Sequence, residues 1–298
     1  MFKHILVPLD GSALAESVLP AAASLAARLK AALTLFHVIE QNAPEAVHAD
    51  RHLTQAEEAH HYLQGIAQKH FAGAKVDWHV HTAEVKDVAR SIAAHAEELK
   101  SDLILVCAHG HGGVRAVLFG SIAQRVIALG GTPVLLLRPG ASSGPGAFAL
   151  HKIMLPLDSE SIHDEVFPYA KSLAQAYQAD IAMLTVIPTF GSLKGEQAAA
   201  SSLLPGTTTA LLDLEEQTTR EHLQIHLDEL HEAGYAASAG IARGDPASEI
   251  VSAAERWNAD LVLLATHRKA GLDAFWAGSV APDIARKTKL PLLLLPLK

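Results

Sequence analysis

A single cysteine, Cys107, stands in a chain of 298 residues, which excludes a disulfide within the chain. That usage fits a reducing compartment. It also excludes the common structural zinc sets, which draw on several thiolates. Long apolar runs are missing as well. Stretches such as 290–296 fall far short of the roughly 20 residues a membrane-spanning helix needs. The N-terminus enters an apolar strand directly, without the basic-then-apolar-then-small order of a signal peptide. Concentrated positive charge is also absent: 24 Lys and Arg are scattered among 32 Asp and Glu, for a net charge of −8. A nucleic-acid backbone is therefore not an expected partner, since binding one normally takes a dense basic surface. These absences read as a cytoplasmic, soluble protein with no membrane and no nucleic acid among its partners.

What the chain does have is a repeat. His4-Ile5-Leu6-Val7-Pro8-Leu9-Asp10 returns as Lys152-Ile153-Met154-Leu155-Pro156-Leu157-Asp158, at an offset of 148 that also relates Pro20 to Pro168 and Leu25 to Leu173. Asp102–Val106 returns as Asp260–Leu264, Gly120-Ser121 as Gly278-Ser279, and Thr132–Leu137 as Leu290–Leu295, all at an offset of 158. A period this long is a duplicated domain rather than a solenoid unit. The change of offset places a ten-residue insertion in the second copy. With 49% hydrophobic and 19% charged residues the chain is globular, and each copy is long enough for its own core. Two domains are expected, at 1–139 and 151–298, joined by a Gly-, Ser- and Pro-rich linker at 140–150.

Short continuous apolar runs mark strands buried on both faces, at residues 3–9, 32–39, 102–108 and 133–138, with a further strand at 75–81. Between them the spacing predicts helices over 13–30, 50–70, 84–99 and 120–129, the first capped by Ser12. The second copy repeats the pattern, with strands near 152–157, 180–187, 235–242, 260–266 and 291–296 and a charged helix at 211–233. The stretch 189–210, with its glycines and a Pro-Gly-Thr-Thr-Thr run, reads as a mobile loop holding the insertion. Alternating strands and helices imply α/β domains, each a doubly wound five-stranded parallel sheet. Ligands then belong beyond the carboxyl ends of the strands, at the topological switch point.

Three strand ends converge there. The first supplies Pro8, Leu9 and Asp10, the second His37 and Val38, and the fourth runs through Cys107 into His109, Gly110 and Gly113. Gly120 and Ser121, followed by Ile122, open a helix. Glycines allow close backbone approach, and a helix N-terminus offers free N–H groups and a positive dipole end. Together they make a phosphate cradle, with Asp10 placed for ribose hydroxyls or for a metal carried by the phosphates. No Gly-Lys-Ser/Thr follows, so this is not a P-loop, and the glycines follow the fourth strand rather than the first. Competing structural readings are a plain strand-to-helix turn for the glycines and a helix cap for Asp10.

The runs Ile5–Ser12, His109–Gly113, Phe119–Ile127 and Thr132–Arg138 resemble the universal stress protein family, and the resemblance covers both copies. It implies tandem Rossmann-like domains of the adenine nucleotide alpha hydrolase-like fold. In the nucleotide-binding branch, Gly, two residues, Gly, nine residues and Gly-Ser or Gly-Thr hold the phosphates. Here those positions are Cys107, Gly110, Gly120 and Ser121. The resemblance further implies a nucleoside beside Asp10 and adenine packed on the residue at Val38. The implied cofactor is ATP, or ADP or AMP, with Mg2+ on the phosphates. The second copy puts Ala265 and Arg268 at the two loop glycines, so its binding is expected to be weakened or silent. In this family the last strand pairs domains, so an internal pseudo-dimer is expected, with any homodimer of chains using other surfaces.

The functional expectation is a stress-response regulatory protein that binds an adenine nucleotide in its first domain. The alternatives are a slow ATP hydrolase and a nucleotide-independent interaction protein. No general base other than Asp10 stands out, so no catalytic residue is assigned. The 18 histidines offer the pairs His79/His81, His109/His111, His60/His61 and His222/His226. None brings a third ligand at a recognisable spacing, and no metal site is assigned. Cys107, at a buried strand end, is expected to be an inert thiol.

Overall fold

A computed structural model describes residues 1–44, 46–47, 50–71, 73–108, 121–139, 148–158, 161–193, 195–266 and 280–297. The first copy runs β1 (His4–Pro8), α1 (Ala13–Glu16), α2 (Leu19–Leu29), β2 (Ala32–Glu40), β3 (Ala46–Val47), β4 (Asp50–Arg51), α3 (Ala56–His70), β5 (Val76–Val85), α4 (Val88–Glu98), β6 (Leu103–Cys107), α5 (Ser121–Leu129) and β7 (Val134–Leu137). The second runs β8 (Lys152–Leu157), a 3-10 turn (Ser161–Val166), α6 (Phe167–Tyr177), β9 (Asp180–Ile187), α7 (Gly195–Leu203), α8 (Pro205–Glu232), β10 (Ala237–Arg243), α9 (Pro246–Arg256), β11 (Leu261–Thr266), α10 (Ala281–Lys287) and β12 (Leu292–Pro296). The described residues fall into two compact units. One is drawn from Met1–Ala149, Thr266 and the C-terminal stretch from Lys289, the other from Leu150–Ala265 and 280–288.

In the first unit five strands run parallel in the order β7-β6-β1-β2-β5. The chain winds outward from β1 through β2 to β5, then crosses back to β6 and on to β7. The switch point therefore lies between β1 and β6. Ile5, Leu6, Val7 and the whole of β6 are buried, as strands covered on both faces require. β12, which clusters with this unit, pairs antiparallel with β7 through Leu292↔Leu136, Leu293↔Leu135 and Leu294↔Val134. In the second unit β11-β8-β9-β10 repeat the parallel order of β6-β1-β2-β5.

The duplication extends to individual bonds. The Asp102 carboxylate accepts the N–H groups of Lys3 at 2.7 Å and His4 at 3.0 Å, tying β6 to the start of β1. Asp260 does the same in the second copy, for His151 at 2.6 Å and Lys152 at 2.9 Å. Left-handed residues also recur at matching places: Lys30 (φ 54°) with Gln178 (φ 57°), and Lys100 (φ 53°) with Asn258 (φ 52°).

Three local expectations need correction. The helix read over 13–30 is broken into α1 and α2, because Pro20 has no N–H for the Glu16 carbonyl. The turn tightens instead, with the N–H groups of Ser17 and Val18 reaching back three residues. Ser12 caps α1, accepting from the Ala15 N–H at 3.1 Å. The helix read over 50–70 begins only at Ala56, and its first residues form β4, paired antiparallel with β3, and a strap up to Leu53. The stretch 189–210, read as a loop, carries α7 and the start of α8. Its alanines are strong helix formers, and Pro205 sits at a helix start, where its missing N–H costs nothing. Of the linker, residues 140–147 lie outside the described residues, while Phe148 is buried and its carbonyl accepts the Ser24 hydroxyl at 2.5 Å.

Candidate functional site

The carboxyl ends of β1, β2 and β6 surround a cavity of about 140 Å³ in the first unit. Pro8, Leu9 and Asp10 reach it from β1, His37 and Val38 from β2, and Cys107 from β6, while Ile122 and Ala123 reach it from the first turn of α5. Phe36, Val88, Ile92 and Val106 give it an apolar wall, and Glu40, Pro44 and His52 close the side beyond β2. Seven of the residues singled out from sequence thus meet at one place. Ser121 opens α5, but its side chain is outside the described residues. His109, Gly110, Gly113 and Gly120 all lie outside the described residues, as do Arg268, Gly278 and Ser279 of the second copy.

Asp10 is held in a fixed orientation. Its Oδ1 accepts both the N–H of Ser12 at 2.9 Å and the Ser12 hydroxyl at 2.7 Å. Capping of α1 falls to Ser12 itself and to Asp50, which accepts the Ala13 N–H at 2.9 Å. The second carboxylate oxygen of Asp10 has no hydrogen-bond partner among the described residues.

His37 is among the lining residues, but its ring nitrogens are engaged within the protein. Nδ1 bonds the Leu9 carbonyl at 2.7 Å and Nε2 the Leu53 carbonyl at 3.0 Å. The residue is 2% exposed and acts as a pin between the end of β1 and the strap that follows β4.

His52 was not visible from sequence, because it falls in a stretch whose spacing reads as helix. It lines the cavity, is 7% exposed, and its Nδ1 is buried with no hydrogen-bond partner among the described residues. A buried polar atom left unpaired costs about 1–3 kcal/mol. Such an atom is retained most readily where a ligand supplies the partner.

The Cys107 sulfur lies 3.3 Å from the Ser17 hydroxyl, which also meets the Leu14 carbonyl at 2.7 Å. Burial pushes the Cys107 thiol up, and the Asp10 charge acts in the same direction, against the lowering effect of the Ser17 bond. The thiol is therefore protonated and unreactive at neutral pH. His79 and His81, on β5, pack against the ring of His95 at 5.3 and 4.8 Å, and burial together with the neighbouring His95 lowers the pKa of both.

A doubly wound parallel sheet with a cavity at its switch point, and a second unit in the same strand order, defines a tandem Rossmann-like α/β protein. The model of the "Universal stress protein family" matches residues 1–138 and again 149–296, and the chain belongs to that family. A universal stress protein of Methanocaldococcus jannaschii is 27% identical over 144 residues, 48% of this chain and 79% of that protein. One from Synechocystis is 29% identical over 152 residues, 48% of this chain and 96% of its own length. Among solved structures, a universal stress protein of Archaeoglobus fulgidus matches with a TM-score of 0.74 at 16% identity, over 99% of this chain and 98% of that one. A functionally unknown Pseudomonas aeruginosa protein matches with a TM-score of 0.67 at 16% identity, over 99% of this chain and 93% of its own. No helix among the described residues is long and apolar enough to cross a membrane.

Proposed function

We propose that this stress protein binds an adenine nucleotide in its first unit and acts as a regulatory module rather than as a catalyst. The observation that carries the reading is the convergence of Asp10, Val38, Cys107 and the first turn of α5 on one cavity. The apolar wall of Val38, Ile92 and Val106 suits a base. The unpartnered carboxylate oxygen of Asp10 suits ribose hydroxyls, and the α5 N-terminus suits phosphate. The orphaned Nδ1 of His52 fits a ligand with hydrogen-bonding groups. ATP, or ADP or AMP, is the expected occupant, its phosphates held by Gly110, Gly120 and Ser121 and carrying any Mg2+. The second copy has Ala265 and Arg268 in place of two loop glycines, and its binding is expected to be weakened or silent. The setting is cytoplasmic.

The test is heat release of small molecules from purified protein, read by absorbance and mass. An adenine nucleotide near one per chain supports the reading. Protein that elutes free of nucleotide and stays so after incubation with excess ATP contradicts it.

A further inference from the structure

We propose that Asp164, His222 and His226 form a binding site for a late first-row divalent metal ion, zinc being the type, in the second unit. His222 and His226 lie four residues apart on one face of α8, and Asp164 reaches them from the 3-10 turn. The two Nε2 atoms are 3.2 Å apart. Asp164 Oδ1 lies 3.7 Å from the His222 Nε2 and its Oδ2 lies 3.4 Å from the His226 Nε2, and one donor atom from each residue falls within 4.8 Å of the others. Around a tetrahedral ion with bonds of 2.0–2.2 Å, neighbouring donor atoms sit about 3.3–3.6 Å apart. The three side chains therefore already outline one face of a coordination tetrahedron.

The shell behind the donors fits as well. The Nδ1 of His226 faces Glu229 Oε2 at 3.4 Å, and its ring packs on Phe167 with centroids 4.4 Å apart. A carboxylate on the far nitrogen fixes the tautomer that leaves Nε2 free to bind an ion. His226 is only 12% exposed in its side chain, whereas His222 and Asp164 are 30% and 29% exposed. An ion can therefore enter from solvent, and its fourth position stays open to water. Two imidazoles and one carboxylate favour zinc, cobalt, nickel or copper over magnesium and calcium, which take all-oxygen shells. Bound there, the ion would tie α8 to the turn that leads into α6. The same three groups, metal-free, make a histidine pair beside a carboxylate, and the experiment separates the two states.

Metal-stripped full-length protein is titrated with Co2+ and the visible d–d absorption is followed, after which Zn2+ is added. The site predicts one Co2+ per chain with a tetrahedral-type band, and displacement by Zn2+. His222→Gln and Asp164→Asn should each weaken Co2+ binding tenfold or more, and Glu229→Gln by about tenfold. Zn2+ should raise Tm in the parent chain and not in His222→Gln. The partly exposed His222 and Asp164 are the residues to change, because His226 packs on Phe167 and its loss bears on folding. Co2+ binding of unchanged strength in His222→Gln and Asp164→Asn places the ion on other histidines and overturns the proposal, as does the absence of any band.

Discussion

Leu53 fills the space that Gly11 leaves by having no side chain. A Cβ at Gly11 would lie 2.9 Å from Leu53 Cγ and 3.0 Å from Cδ1, and the Gly11 backbone sits at φ +90°. The same strap is held by the His37 bond to the Leu53 carbonyl and by Asp50 on the Ala13 N–H. The fit at Gly11 thus sets where His52, one residue earlier, meets the cavity. Gly11→Ala should cost about 1–3 kcal/mol of stability from the disfavoured φ and the clash. Adding Leu53→Ala should make the second change cheaper than it is alone, because the clash is gone while the φ strain remains. Denaturant unfolding of the two single variants and the double measures this, and additive losses contradict it.

His52→Leu removes a buried nitrogen that has no partner. The nucleotide-free protein should keep its stability or gain up to about 1 kcal/mol, while nucleotide affinity falls. Paired unfolding and titration measurements separate the two effects. A large loss of stability would show that the ring is a packing element.

Burial keeps the Cys107 thiol protonated beyond the usual range. Its native form holds the proton more tightly than the unfolded chain does. The stability this contributes is complete below the unfolded thiol value of roughly 8.5 and declines as pH rises through the folded value. In the parent chain, stability should fall from about pH 9 upward more steeply than in Cys107→Ala. A thiol reagent at pH 8 should modify native protein far more slowly than urea-unfolded protein. Equal rates would contradict burial as the cause.

A fragment ending at Arg138 leaves β7 without the antiparallel partner it has in β12. Val134–Leu137 is then a bare apolar edge, a template for pairing with another chain. Sedimentation should show such a fragment associating at micromolar concentration, and a stable monomer would count against the role given to β12.

The inner strands β1, β2, β6 and β7 were legible in sequence because each is a short apolar run, and the doubling of the chain let these assignments be made twice. Asp10, Val38 and Cys107 could be brought to one place from sequence because a switch point places strand ends together, and the structure lines one cavity with them. What escaped depends on contacts between distant segments. The strap at 50–53 carries a helix-like spacing, and only its fit against Gly11 and His37 makes it extended. His52 gains its meaning from that strap. Asp164 joins His222 and His226 through a turn far from them in the chain, so no spacing rule could pair them. In the stretch 189–210 the loop reading gave weight to Gly195 and Pro205, whereas the intervening alanines decide the helix.

The central claim, one nucleotide site per chain in the first unit, is tested most directly by calorimetric titration of Mg2+–ATP into the full-length protein and its Gly110→Val variant. The account predicts one class of sites, close to one per chain, and loss of binding in the variant with its unfolding curve unchanged. Two equivalent sites, or affinity that survives Gly110→Val, would contradict it.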